Sequence, residues 1–250
     1  MFVRSTRQIR LTNEGKIYFA ECRQALSQLI DAERLVTGAQ IAPSGLLRIS
    51  VPTPYAHFRL LPLLPEFQER YPQVQIDIHL SNRNIDFTEE GYDLAIRGRT
   101  PADSNLIARP LEHAELVVVA TPDYLSRVAY PNTLDDLRHL ECIQFELPST
   151  GRRIPWLFRQ ENKIIEVVTS GSYCCSEDYL GIVTLARNGI GLVQTYRYIV
   201  EKDLQNGALI ELLPQFGGVS LPFILLYPHG RHMSFRVRVF VDFLLEKLAG

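Results

Sequence analysis

The residue types that could do chemistry are scattered rather than clustered. Cys174 and Cys175, followed by Ser176, Glu177 and Asp178, form the densest group. Adjacent cysteines rarely reach disulfide geometry, so two reduced thiols are expected there. A redox or metal sensor is the alternative. Cys22 and Cys142 complete a set without CxxC spacing, which points to a reducing compartment. His229 and His232, in HGRH, could hold a metal only with help from elsewhere, and a solvated loop is the plainer reading. The remaining histidines, His57, His79, His113 and His139, have no cysteine or carboxylate pattern beside them. The GxSxG elbow, the P-loop and HExxH are all absent. Gly189-Ile190-Gly191 begins like a dinucleotide fingerprint, but Gln stands at 194 and a helix precedes it. No catalytic residues, metal or cofactor are therefore expected.

Polar residues at strand ends make a better case, for binding. The stretch 45–99 reads as three apolar runs separated by two helical stretches. Leu46 to Val51 is a strand; Thr53-Pro54 then starts a helix, with Thr53 as N-cap and Pro54 at its first position. Leu60, Leu64, Phe67 and Tyr71 share one face of it, with Pro62 and Pro65 kinking or restarting it. Val74, Ile76, Ile78 and Leu80 alternate with polar residues as a second strand, and a short polar helix ending near Gly91 leads to a third, Asp93 to Arg97. This is βαβαβ, a parallel sheet whose ligands sit beyond the carboxyl ends of the strands. Candidate contacts are Thr53, Pro54, Tyr55, Ser81, Asn82, Arg97, Gly98, Glu146, Cys175, Ser176, Thr195 and Tyr196. Thr53 and Ser176 would place hydroxyls at helix N-termini, where free backbone N–H groups favour an anion. Both could equally be mere caps, and Arg97 could be a structural ion-pair partner.

The runs GLLRISVP, PEFQERYPQVQIDI and EEGYDLAIRGR, in this order and spacing, resemble the effector-binding domain of LysR-type transcriptional regulators. The resemblance implies a bacterial regulator with a winged helix-turn-helix, a linker helix and a two-lobed sensor like periplasmic binding proteins. FVRSTRQIRLTNEG resembles only the end of the wing and the start of the linker, so the recognition helix is expected upstream. The resemblance also places effector contacts at Thr53-Pro54-Tyr55, Ser81, the Arg97 region, and the Ser176 and Thr195 turns. Cys174-Cys175-Ser176 stands where many members have a plain Asn or Asp before the helix.

The expected class is α/β, a two-lobed periplasmic-binding-protein-like effector domain behind a long linker helix. Residues 1–11 are the wing remnant, 12–37 the linker, 38–45 a hinge, 46–117 with 222–250 lobe I, and 118–221 lobe II. Tyr18, Cys22, Ala25, Leu29, Ala32 and Val36 alternate spacings of 4 and 3, the heptad seam of a helix that pairs with another helix. An amphipathic helix lying on its own domain is the alternative. In the second lobe, Thr121-Pro122 repeats the Thr-Pro helix start, Leu134 to Arg138 reads as a helix, and Cys142 to Phe145, Lys163 to Thr169 and Ile190 to Val193 as strands. Ser176 caps a helix that stops at Gly189, Leu221 to Tyr227 returns as a buried strand, and Ser234 caps a final helix with Val237, Val241, Leu244 and Leu248 inside.

A hydrophobic content of 46% with 22% charged residues is ordinary for a globular protein, and a net charge of −2 argues against a generally basic nucleic-acid surface. Arg4, Arg7 and Arg10 could still touch DNA phosphates as a wing does; a solvated tail is the alternative. No apolar run approaches the roughly 18 residues of a membrane span, and the charged start has no apolar signal core, so a cytoplasmic protein without membrane contact is expected. The reading is a sensing and dimerising portion of a LysR-type regulator. Its partners are a small, anionic metabolite between the lobes, a second copy (dimers pairing into tetramers left open), and DNA through a domain mostly upstream. The alternative is a stand-alone small-molecule binding protein.

Overall fold

A computed structural model describes residues 2–4, 9–12, 14–15, 18–19, 22, 25–26, 29, 42–83, 87–98, 106–228 and 233–248. β1 (Phe2–Arg4) and β2 (Ile9–Leu11) form an antiparallel hairpin with Val3 opposite Arg10. Arg4 and Arg10 thus fall on paired strands, while Arg7 lies outside the described residues. Tyr18, Cys22, Ala25 and Leu29 carry helical backbone, and Tyr18 and Leu29 are exposed. Ala32, Val36 and the hinge up to residue 41 lie outside the described residues, as do His229 and His232.

β3 (Gly45–Val51) leads into a continuous helical segment, residues 53–70, here α1. Pro62 and Pro65 have no N–H to donate, so the regular ladder cannot run through them. The chain instead passes through a π turn (Ala56–Leu60) and a 3-10 turn (Leu61–Leu63) before resuming at Leu64–Arg70. β4 (Val74–Leu80), α2 (Phe87–Glu90) and β5 (Leu94–Arg97) follow. β6 (Leu106–Ala120) is the longest strand. Then come α3 (Pro122–Leu125), a 3-10 turn (Asp135–His139), β7 (Gln144–Leu147), β8 (Arg152–Arg153), β9 (Trp156–Gln160), β10 (Lys163–Val167) and β11 (Cys174–Cys175). The chain ends with α4 (Leu180–Arg187), β12 (Val193–Tyr196), α5 (Arg197–Gln205), β13 (Ile210–Leu212), β14 (Ser220–Pro228) and α6 (Phe235–Leu248).

β3 is parallel to both β4 and β5, as the βαβαβ pattern requires. The seven-stranded sheet runs β12-β6-β14-β5-β3-β4, with β13 also on β6. β6 joins the two lobes of this mixed α/β fold, pairing β14 along Leu106–Glu115 and β12 and β13 along Leu116–Ala120. A register shift skips Leu111, where Glu112 faces Phe223 but Pro110 faces Ile224, and such bulges bend a strand. One core lies under α1 and α6, where Phe67 meets Phe240 at 4.9 Å and Phe243 at 5.2 Å between ring centroids. Phe240 is fully buried, so truncating it to Ala would cost about 3–5 kcal/mol. Two further cores fill the other lobe, one around Ile182 and Val200, the other around Trp156 and Leu192. Gly191 brings the lead into β12 close: a Cβ there would sit 2.2 Å from the Glu141 carbonyl oxygen.

Several local expectations need correcting. The cap of α1 is Pro52, whose carbonyl accepts the Ala56 N–H at 2.9 Å, so Thr53 is inside the helix and its side chain caps nothing. Ser176 does not start a helix either: Glu177 takes a left-handed φ of 63°. α4 begins only at Leu180, whose N–H is accepted by the Asp178 carboxylate at 3.0 Å. Ser234 precedes α6, yet its hydroxyl is buried with no hydrogen-bond partner among the described residues. The strand expected at Ile190 to Val193 forms at Val193–Tyr196, with Leu192 making an isolated bridge to Cys142. By contrast Thr121 does cap α3, its Oγ1 accepting the Tyr124 N–H at 3.2 Å. No helix among the described residues is long and apolar enough to cross a membrane.

Candidate functional site

The carboxyl ends of β3, β4 and β5 carry Pro52, Asn82 and Arg97-Gly98 to one place, because parallel strands of one sheet end on the same edge. The facing wall comes from the other lobe. β7 supplies Phe145 and Leu147, the turn after it Ser149 and Thr150, and β9 Trp156 and Leu157. Tyr179 and Ile182 come from the start of α4, and Gln194 and Tyr196 from β12. Leu116, Leu221 and Phe223, on the strands that join the lobes, close the back. Between them lies a cavity of about 430 Å³, within the usual size of a small-molecule site.

Of the expected contacts, Pro54, Asn82, Arg97, Gly98 and Tyr196 line this cavity. Thr53, Tyr55, Ser81, Glu146, Cys175, Ser176 and Thr195 are not among its lining residues. Thr53 is turned into α1, and the Ser81 hydroxyl accepts the Arg83 N–H at 3.3 Å. Tyr55 is fully buried one layer behind, its ring 4.3 Å from that of Phe223. Glu146 pairs across β7–β8 with Arg153, and Cys175 pairs with Phe145. Thr195 is fully buried, its hydroxyl without a partner among the described residues.

Arg97 is only 7% exposed and makes no ion pair within 4.0 Å among the described residues. Its Nη1 donates to the carbonyls of Ser50 and Ile96 at 3.0 and 2.6 Å, and its Nη2 to the Ser50 hydroxyl and the Arg83 carbonyl at 2.8 and 3.1 Å. Burial without a carboxylate partner pushes its pKa down to about 10, which still leaves it charged at neutral pH. Among the described residues lining the cavity it is also the only one with a permanent charge. The other polar groups of the wall are largely committed. The Gln194 amide donates to the Leu157 carbonyl and accepts the Leu157 N–H, both at 2.8 Å. The Tyr179 hydroxyl donates to the Gln194 carbonyl at 3.3 Å. Asn82 reaches across the opening to donate to the Glu177 carbonyl, a hydrogen bond between the lobes.

Sequence reading missed the apolar wall: Phe145, Ile154, Trp156, Ile182 and Phe223. The chain's single tryptophan was the available signal, since a large aromatic ring in a short strand needs a surface to cover. Among the described residues no group of His, Cys, Asp and Glu is arranged to hold a metal ion.

The LysR substrate binding domain profile matches residues 40–249. The HTH-type transcriptional regulator YhjC of Escherichia coli K12 is 32% identical over 243 residues, covering 96% of this chain and 80% of that protein. The HTH-type transcriptional regulator CrgA of Neisseria meningitidis serogroup C is 31% identical over 246 residues, 98% of this chain and 81% of its own. The solved structure of CrgA from Neisseria meningitidis, a LysR-type transcriptional regulator, superposes with a TM-score of 0.74 at 28% identity, covering 100% of this chain and 84% of that one.

Proposed function

The chain belongs to the LysR-type transcriptional regulators, a family of regulators rather than enzymes, and from that premise we propose that it senses a small anionic metabolite in the cavity between its lobes. The observation that carries this reading is Arg97, a buried guanidinium with no carboxylate beside it among the described residues, in the wall of a cavity of about 430 Å³. An unpaired buried charge is costly, and an anion placed near it recovers Coulomb energy at low effective dielectric. The N-terminus of α4 gives less support, because the Asp178 carboxylate already accepts its first N–H.

In this reading residues 46–117 with 222–250 act as lobe I and 118–221 as lobe II. A ligand that touches both walls binds the closed arrangement better than an open one and so shifts the population between them. The exposed helical positions Tyr18 and Leu29 are where a second copy would pack, and the β1–β2 hairpin with Arg4 and Arg10 would lie against DNA phosphate. The regulator would then act on DNA in the cytoplasm, with lobe closure passed to the DNA-reading part through the paired copies.

The test is a melting screen of the chain against a broad panel of anionic and neutral metabolites, repeated with Ile154→Trp. Ile154 lines the cavity and is half-buried at the edge of the core around Ile182, so the larger ring has the cavity to extend into. An anion at about 100 times its Kd should add about 2.7 kcal/mol, or roughly 5–11 °C in a chain of this size, and the variant should abolish the shift. A panel without an anionic hit, or a hit undiminished in Ile154→Trp, overturns the reading.

A further inference from the structure

We infer that the ligand of this cavity is an amphipathic monoanion, a single carboxylate on an apolar body, rather than a hydrophilic acid or a polyanion. This rests on the cavity being the effector site and names the ligand class. Three features of the wall select it.

The charge is single and one-sided. Arg97 sits at the end of β5 on the first-lobe wall, and no lysine, second arginine or histidine joins it among the described lining residues. A di- or tricarboxylate would therefore bring one or two charges against mostly apolar walls without a counter-charge among the described lining residues, which is unfavourable. Arg97 itself uses both Nη groups on protein acceptors, leaving Nε without a hydrogen-bond partner among the described residues. It thus offers its field and one remaining donor, enough for one carboxylate.

Beyond Arg97 the wall is mostly apolar, its hydroxyls being those of Ser149, Thr150, Tyr179 and Tyr196. Gln194 spends both ends of its amide on Leu157, Tyr179 donates to the backbone, and Thr150 Oγ1 already accepts the Arg152 N–H at 3.4 Å. A sugar acid would have to give up its water for surfaces such as Ile143, Phe145, Ile154, Trp156, Leu221 and Phe223. An apolar body gains there instead, at roughly 25 cal/mol for each Å² taken out of water.

Size sets the third limit. At about 430 Å³ the cavity lies toward the small end of small-molecule sites, which favours a compact body. Gly98 helps to set that room. A Cβ there would lie 3.7 Å from the Tyr196 hydroxyl and 3.9 Å from the Phe223 ring, ordinary contacts that leave the backbone undisturbed. Gly98→Ala therefore takes volume from the ligand and not from the fold.

The experiment measures melting of the chain with octanoate and phenylacetate, with their uncharged amides, and with succinate and citrate, in wild type, Gly98→Ala and Ile154→Trp. Octanoate and phenylacetate separate an aliphatic from an aromatic source of the same chemistry. At least one of them should raise the melting temperature, its amide should bind at least 10-fold more weakly, and succinate and citrate should do nothing. Gly98→Ala should melt within a degree or two of wild type and weaken the active acid several-fold, and Ile154→Trp should abolish the shift. Binding of succinate or citrate that is lost in Ile154→Trp would overturn the ligand class while leaving the cavity as the sensing site. Equal binding of acid and amide would remove Arg97 from the argument and overturn the class likewise. No Ile154-dependent binding by either monocarboxylate also overturns it, and the broad screen then decides separately whether the cavity senses an anion at all.

Discussion

Gln194 decides where one wall of the cavity stands. Its amide donates to the Leu157 carbonyl and accepts the Leu157 N–H, both at 2.8 Å, and it is only 9% exposed. Leu157 faces Glu166 across β9–β10, so the amide holds the other side of β9, the strand that carries Trp156 into the cavity. Gln194→Met keeps the volume and removes both bonds. Each bond contributes about 0.5–1.5 kcal/mol, and a backbone group left dry costs about 1–3 kcal/mol. Leu157 is half-buried, so water recovers part of that, and the expected loss is about 2 kcal/mol, or roughly 4–8 °C. Gln194→Glu separates the two bonds by charge. Its carboxylate still accepts the Leu157 N–H but repels the Leu157 carbonyl, and only the protonated acid can donate to it. The folded-state pKa of this glutamate is thereby raised above its unfolded value, so the protonated form supplies the stability. The variant should be worse than Gln194→Met at pH 7 and recover as pH falls through its raised folded-state pKa toward the ordinary carboxylate range. Chemical denaturation of both variants from pH 7.5 to 4.5, each referred to wild type at the same pH, measures this. A Gln194→Glu deficit that does not change with pH, or a Gln194→Met loss below about 0.5 kcal/mol, would refute the clamp.

Three other outcomes follow from single groups. The Tyr55 hydroxyl is buried without a hydrogen-bond partner among the described residues, so Tyr55→Phe should leave stability unchanged or raise it by up to about 1–2 kcal/mol; a loss of more than 1 kcal/mol in urea denaturation would mean that the hydroxyl finds Glu112 in solution. The Asp136 carboxylate accepts the N–H groups of Asn132 and Thr133 at 2.9 and 2.8 Å, and these hydrogen bonds hold its pKa below the ordinary value of 3.8. Its stabilisation is thus present above that value and lost as pH falls through the folded-state pKa, so the melting difference between wild type and Asp136→Ala should be flat near neutrality and shrink in acid. Burial pushes the Cys142 thiol up to about 12, whereas Cys174 is exposed; a disulfide-exchange reagent at pH 8 should label Cys174 in the native chain and Cys142 only on unfolding, as peptide mapping would show.

The signals that depend on neighbours in the chain were legible in the residues alone. Alternation at Val74, Ile76, Ile78 and Leu80 gave β4, the proline positions gave the broken course of α1, and Thr121-Pro122 gave a capped α3. Because period and parallel order come from local sequence, the βαβαβ unit could be read, and with it Pro54, Asn82, Arg97 and Gly98 beyond strand ends facing one cavity, while Tyr196 was placed at the strand end of the other lobe. The LysR resemblance rested on three motifs of the same unit, and the matching family profile bears it out. What failed was decided by single backbone choices. Thr53 and Pro52 compete for one cap, and the winner is the residue whose carbonyl meets Ala56. Ser176 looked like a cap because nothing in its letters announces that Glu177 turns left-handed.

Apart from Tyr196, the far wall of the site was not read from the sequence, for a different reason. Trp156, Phe145 and Phe223 face the cavity because β6 pairs with β14 on one stretch and with β12 and β13 on the next, across a bulge at Leu111, and because Gln194 grips a strand 37 residues away. A side-chain period says which residues lie on the same face of their own element; which faces then meet is set by pairings distant in sequence. The same holds for Arg97. Sequence placed it at a strand end, but only the tertiary structure shows it buried with no carboxylate within ion-pair distance among the described residues, which is what makes it a candidate for receiving an anion.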